Sequence, residues 1–275
     1  MEIIMKKIIS VRTMRESDAY TIKNFTDSKT LMYRAGEAVF KSFPWHGRVA
    51  VVCGSGNNAG DGYVLALLLK ANGIGCTLFL VKNKFSADGL YYYEKCKAED
   101  IESTIINENT AFDGYDAIAD CILGTGFKGK VSAEVKTAVD KINSSGKTVV
   151  SVDINSGLNG DFGVQGECVK SDLTVSVGYL KTGFYLGGAD SKIKRVVNCD
   201  IGIELVGEAY TLIEKDDEFV FDAKGLPVET AELPKEADAV EILRRTATQR
   251  GIWLDCGSVL TDGEETYIFE SGAVR

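Results

Sequence analysis

The chain reads as an α/β protein: a Rossmann-like three-layer α/β/α sandwich with a mostly parallel sheet, followed by a small acidic C-terminal extension. Three observations lead there. Short apolar runs alternate with amphipathic segments of helical length, three of those runs stop abruptly in glycine-rich polar corners, and the charge balance changes near residue 205. Strands that alternate with helices of about 10–14 residues form βαβ units, and their sheet is covered on both faces.

The first two segments, Val11 to Asn24 and Lys29 to Phe43, are helical. Asp27 or Ser28 caps the second, and Leu31, Met32, Ala35, Ala38 and Val39 give it an apolar face. Strand 49–53 follows, then helix 61–72, strand 76–81, helix 86–98 and a short strand at 104–106. Asp116 to Leu123 forms the next strand and runs into Gly124-Thr125-Gly126. Helix 132–144, closed by Gly146, leads to strand 148–152, and further strands are expected at 172–177 and 195–203.

Composition narrows the class. Of 275 residues, 45% are hydrophobic and 26% charged, as in ordinary globular proteins. No apolar run reaches the roughly 18 residues of a membrane span, and Met1 to Ser10 is too short and too charged for a signal peptide. Acidic and basic residues balance at 24 each up to Glu204, whereas residues 205–275 hold 16 acidic and 7 basic, so the whole net charge of −9 lies in the tail. That shift divides the chain into 1–204 and an extension, 205–275. There is no basic face for nucleic acid. Seven cysteines without a C-x-x-C pair mostly sit in apolar runs, which suits reduced core thiols and a cytoplasmic protein.

The chemistry is expected at the carboxyl ends of the strands, where open α/β sheets bind ligands. Three corners converge there: residues 54–62, residues 120–130 and residues 152–158. The first holds Gly54, Gly56, Asn57, Asn58, Ala59, Gly60, Asp61 and Gly62, a turn whose free N–H groups suit an anion. Gly54-x-Gly56-x-x-Ala59 also fits a relaxed dinucleotide fingerprint. An NAD-dependent dehydrogenase, however, needs an acid at the end of the second strand, and Val81-Lys82-Asn83-Lys84 offers none. The sole histidine, His46, precedes the first strand, away from the crevice.

Asp120 interrupts an apolar strand, and burying a carboxylate is costly unless it is hydrogen-bonded or meets a cation. Two readings stay open: a structural bond to loop amides, or ligation of a hard cation with oxygens of Asn58, Asp120 and Ser156. Asp153 ends its strand facing the crevice, where it serves either as a general acid or base or as a turn cap.

Together these segments resemble the NAD(P)H-hydrate epimerase family, the YjeF N-terminal domain. The resemblance runs through most of 8–204. It is carried by Val11-Arg12-x-Met14-Arg15-x-x-Asp18, Leu31-Met32-x-x-Ala35-Gly36, Gly54-x-Gly56-Asn57-Asn58-x-Gly60-Asp61-Gly62, Asp120-x-x-Leu123-Gly124-Thr125-Gly126, Val152-Asp153-Ile154-x-Ser156-Gly157, Lys181-x-Gly183 and Asp200-Ile201-Gly202-Ile203. It implies an isomerase of nicotinamide cofactor repair that interconverts the R and S epimers of NADH or NADPH hydrated at C6 (NADHX, NADPHX). A separate ADP- or ATP-dependent dehydratase consumes the S form. On the family pattern Asn57, Asn58, Ala59, Gly60 and Asp61, with Gly124, Thr125, Gly126, Phe127, Lys128, Gly129 and Lys130, contact the dinucleotide. Asn58, Asp120 and Ser156 hold a potassium ion, Asp153 faces the reacting ring, and the assembly is a homodimer.

This sequence departs from the pattern at Ser55, at Ala59 where glycine is usual, and at Thr182 where proline is common. Ala59 is strained only if its φ is positive. In the extension, Ala209 to Leu212, Gly251 to Gly257 and Leu260 to Glu264 resemble fragments of the ADP-dependent dehydratase domain that follows in two-domain relatives. About 70 residues cannot hold that whole domain. The extension is thus expected to be a degenerate remnant, or else an unrelated cap. The alternative to the enzyme is a non-catalytic nucleotide-binding module of the same fold. Retention of Asn58, Asp61, Asp120 and Asp153 favours the enzyme.

Overall fold

The structure is a computed structural model and describes residues 6–213, 258–261, 266–270 and 273–274. In chain order its elements are β1 (Lys7–Ile9), α1 (Val11–Asn24), α2 (Ser28–Ser42), β2 (Arg48–Cys53), α3 (Asn57–Ala71), β3 (Gly75–Leu80), α4 (Ala87–Ala98), β4 (Ser103–Ile105), β5 (Ala117–Cys121), α5 (Ala133–Ser144) and β6 (Thr148–Val152). Then follow β7 (Leu158–Asn159), β8 (Gly163–Val164), β9 (Leu173–Val177), β10 (Leu180–Lys181), β11 (Val196–Cys199), β12 (Tyr210–Ile213), β13 (Ser258–Thr261), β14 (Thr266–Glu270) and β15 (Ala273–Val274).

The chain forms two compact units, Ile9–Gly207 and a second made of Met1–Ile8 with Glu208–Arg275. In the larger unit the sheet order is β11-β9-β6-β5-β2-β3-β4, with every neighbouring pair parallel. This is the doubly wound order, and the strand sequence reverses between β2 and β5. β2, β5 and β9 are buried along almost their whole length, as strands covered on both faces must be. In the smaller unit β12 runs antiparallel to β1 and parallel to β13, and β13, β14 and β15 pair antiparallel in turn. Residues 251–257 of the extension, which carried one of the dehydratase-like fragments, lie outside the described residues.

Local chemistry sets the helices. Ser10, Asp27, Ser86 and Ser132 each accept a backbone N–H three residues on, capping α1, α2, α4 and α5. Helix α3 differs: it begins at Asn57, four residues before the expected start, and its N-cap Gly56 makes no side-chain bond. Two amides and a glycine have poor helix propensity, and packing overrides it. Asn58, Ala59 and Gly60 are buried in that first turn. A Cβ on Gly60 would lie 2.3 Å from Met32 Sδ, and one on Gly36 would lie 2.5 Å from Val64. α2 therefore packs directly on α3. Gly54 is needed for the same kind of reason, because a Cβ there would meet the Ile122 carbonyl at 2.0 Å.

The larger unit ends later than the charge pattern suggested. Ile201 and Ile203 are buried, Glu204 N–H donates to Thr21 Oγ1 at 2.9 Å, and Val206 N–H donates to Ser17 Oγ at 3.0 Å. Uncharged hydroxyls on α1 hold this segment, and they leave no trace in a charge count.

Candidate functional site

The three glycine-rich corners meet at the switch point over β2, β5 and β6. They enclose a cavity of about 510 Å³ lined by Asn57, Asn58, Asp61, Thr125, Phe127 and Asp153 among others. A smaller hollow of about 300 Å³ adjoins it and takes Lys82, Lys128 and Lys130. Of the residues expected at the dinucleotide, Gly124, Gly126 and those just named line one hollow or the other. Ala59, Gly60 and Gly129 line neither: the first two are buried in α3, and Gly129 holds φ +84° in the loop. Ala59 is helical and lacks the positive φ that would have strained it. Thr182 is likewise accommodated, with its hydroxyl on the carbonyls of Gly160 and Asp161 at 3.3 Å.

Asp120 lies fully buried beneath the cavity floor. Its Oδ1 accepts from Ser156 Oγ at 2.5 Å and Ile122 N–H at 3.3 Å, and its Oδ2 from Ser151 Oγ at 2.8 Å and Ser156 N–H at 2.9 Å. Burial pushes its carboxyl above the usual range, and those four donors oppose the shift. Both readings left open by the sequence have support here. The structural bonds are present, and next to them Asn58 Oδ1 is buried with no hydrogen-bond partner. Asn58 Nδ2 donates to the Leu123 carbonyl at 3.0 Å, and Leu123 N–H donates to Ser156 Oγ at 2.8 Å, which links all three oxygen-bearing residues into one patch. An orphaned buried acceptor beside one carboxylate and neutral oxygens fits a hard monovalent cation. Among the described residues no group of three His, Cys, Asp or Glu side chains is placed to hold a metal ion, so a carboxylate-rich divalent site has no counterpart there.

Asp153 is a different carboxylate. It sits just past β6 at φ +64°, one of two non-glycine residues with positive φ among those described. That conformation costs roughly 1 kcal/mol even for a short polar side chain. Its Oδ2 accepts from Thr125 N–H at 3.1 Å, and its Oδ1 pairs with Lys181 Nζ at 2.6 Å. Gly124 is held by closeness: a Cβ there would lie 3.1 Å from Asp153 Oδ2 and 3.3 Å from Asn58 Cβ.

Three further acids, Asp18 on α1, Asp61 on α3 and Asp88 on α4, line the same cavity. Burial, then the charges of Asp153 and Asp18, push the Asp61 carboxyl well above the ordinary range, and Lys181 opposes this only in part. Asp18 is raised by burial and then by Asp153. Neither Asp18 nor Lys181 was given a role by sequence reasoning. Asp18 had a signal, because Met14, Asp18 and Ile22 recur every fourth residue, so a carboxylate interrupts the inward stripe of α1. His46, as expected, is exposed before β2 and lines neither hollow.

Comparison with known proteins agrees with this fold. The family described as YjeF-related protein N-terminus matches residues 28–183. The NAD(P)H-hydrate epimerase of Limosilactobacillus fermentum is 31% identical over 201 residues, covering 71% of this chain and 97% of that protein. That of Lentilactobacillus buchneri is 32% identical over 208 residues, with 72% and 96% covered. The bifunctional NAD(P)H-hydrate repair enzyme Nnr of Coxiella burnetii is 34% identical over 199 residues, and the chain spans 41% of its length. The crystal structure of yeast ynu0 (YNL200c) shares the fold, with TM-score 0.62 at 21% identity over 75% of this chain and 100% of that one. Spanning more than half of its length, the match places this chain in the family of YjeF-related protein N-termini.

Proposed function

We propose that the chain is an NAD(P)H-hydrate epimerase, an isomerase that interconverts the R and S forms of NADHX and NADPHX. The observation that carries this reading is four carboxylates, of Asp18, Asp61, Asp88 and Asp153, lining one cavity at the switch point, with Asp153 fixed by a lysine and in an uncommon backbone conformation. The relatives' names support the same reaction.

The chemistry follows from the substrate. Its C6 hydroxyl belongs to a hemiaminal, so protonating that oxygen releases water and leaves a ring iminium. Water then adds to the opposite face and returns a proton. Asp61, shifted toward its protonated form, is suited to deliver the proton to the departing hydroxyl. Asp153, ion-paired and facing the cavity, presents negative charge to the iminium. Asp153, which the sequence left as a general acid or base or a turn cap, takes the charge-stabilising role in this reading, and its neighbour Asp61 takes proton delivery. Asn57 and the 124–127 loop would orient the dinucleotide, with Lys128 and Lys130 near its phosphates. When bound, potassium would brace the oxygens of Asn58, Asp120 and Ser156 and thereby the three corners that carry them.

A separate dehydratase would consume the S epimer, as the family resemblance implies, and relatives named bifunctional NAD(P)H-hydrate repair enzymes accord with coupling to a second repair step. No helix among the described residues is long and apolar enough to cross a membrane, which accords with a cytoplasmic setting. The family resemblance also supports a homodimer, which light scattering measures.

Chromatography of purified S-hydrate incubated with the protein tests the assignment. Faster appearance of the R-hydrate than in buffer supports catalysis. Binding without acceleration would identify the non-catalytic module instead.

A further inference from the structure

Lys181 is fully buried, and its ammonium is completely occupied. Nζ reaches Asp153 Oδ1 at 2.6 Å, Ser176 Oγ at 3.0 Å and the Val177 carbonyl at 2.8 Å. Ser176 Oγ gives its own proton to the Tyr179 carbonyl at 2.7 Å, so toward Lys181 it acts as acceptor. An ammonium has three donors and no acceptor, and here each donor has one partner. No N–H remains for a substrate, and the nitrogen lines neither hollow. Of the groups its ammonium contacts, Asp153 is the one that lines the cavity, and the lysine's charge also opposes the upward shift of Asp61.

The geometry points to Lys181 as the positioning residue of the epimerase site: it locks the Asp153 carboxylate against rotation and offsets its charge, so that a fixed oxygen edge faces the reacting ring. This rests on the epimerase reading above. One oxygen is held by the ammonium and the other by Thr125 N–H, so the carboxylate plane is set from two sides. Ser176 and Val177 lie at the end of β9 and Lys181 on β10, so the lysine fastens the end of β6 to the neighbouring strand. A bare carboxylate in a hollow shared with Asp18 and Asp61 would face like charge, and Lys181 offsets that charge from behind Asp153.

Three variants test the proposal against the parent, each checked for folding by circular dichroism. Lys181→Met removes the charge at similar volume and should lower kcat for epimer exchange about 100-fold while KM changes less than about threefold. Ser176→Ala removes one of the lysine's anchors and should give a smaller loss in kcat, about threefold to tenfold. Asp153→Asn/Lys181→Met should stay within about threefold of Asp153→Asn alone, because the carboxylate that the lysine chiefly positions is already gone. A merely structural lysine would instead add its own loss to the double variant, and that result overturns the proposal. So does a folded Lys181→Met with kcat within about threefold of the parent, or a loss confined to KM. Should Lys181→Met fail to fold, the double variant, which leaves no unpaired charge, and Ser176→Ala decide: parent kcat in Ser176→Ala overturns the proposal. An inactive parent protein would refute the epimerase reading itself, and this proposal with it.

Discussion

Asp120 and Asp153 stand at the ends of neighbouring strands, yet their surroundings differ in kind. Asp120 is sealed from solvent and held by two hydroxyls and two amides, all neutral donors. Asp153 keeps 16% of its side-chain surface, opens to the cavity and is balanced by an ammonium. A buried carboxylate satisfied by neutral dipoles organises backbone; one paired with a cation and left partly open retains a face for chemistry. The contrast assigns stability to the floor of the site and reactivity to its wall.

Substitutions at each place can break that contrast. The largest effect is expected at the wall. Asp153→Asn should slow epimer exchange by about 1,000-fold with little change in substrate affinity, as measured by progress curves and equilibrium binding. Unaltered kcat would remove Asp153 from the reaction. Asp61→Asn should cost about 100-fold in kcat by removing the proton donor.

Asp61→Asn should also stabilise the fold, and the sign follows from linkage. Its carboxyl titrates higher in the folded than in the unfolded chain, so above the ordinary carboxylate range the native state binds the extra proton. Stability then falls as pH rises through the folded value. The Asn variant lacks this loss and should melt higher than the parent at pH 8 (chosen from the usual working range) but equally at acid pH. Equal melting at both pH values would contradict the shift.

At the floor the order reverses. Asp120→Ala leaves the Ser151 and Ser156 hydroxyls and two amides without their acceptor, and should destabilise by about 3 kcal/mol in urea titrations. The smallest effect concerns the ion. Replacing potassium by tetramethylammonium at constant ionic strength should lower stability by on the order of 1 kcal/mol and reduce activity. Asn58→Ala, which deletes the orphaned acceptor, should erase the difference between the two salts. Identical melting of the parent in both salts would argue against an ion at this patch.

Much of the fold was legible because its signals are local. Apolar runs ending in glycine, the Asp27 cap, and alternating strand and helix lengths all act within a few residues. The three corners were legible for the same reason, as were Asp120 and Asp153, which break apolar runs. What escaped the sequence depends on long-range packing. The start of α3 at Asn57 is set by Met32 and Cys121, which fit only glycine at positions 60 and 62. The Lys181–Asp153 pair joins residues 28 apart in sequence, and nothing near Lys181 marks it as buried. The positive φ of Asp153 is likewise invisible until the turn into Ser156 is built.

The central claim is that water leaves C6 and returns to the other face within this cavity. It is tested most directly by running the epimerisation of pure S-hydrate in heavy-oxygen water and weighing the R-hydrate formed. The account predicts that R-hydrate appears faster than in buffer, with the heavy isotope at C6 in each molecule converted, and that Asp153→Asn removes nearly all of the acceleration. Rapid epimer exchange that retains the original oxygen would contradict it.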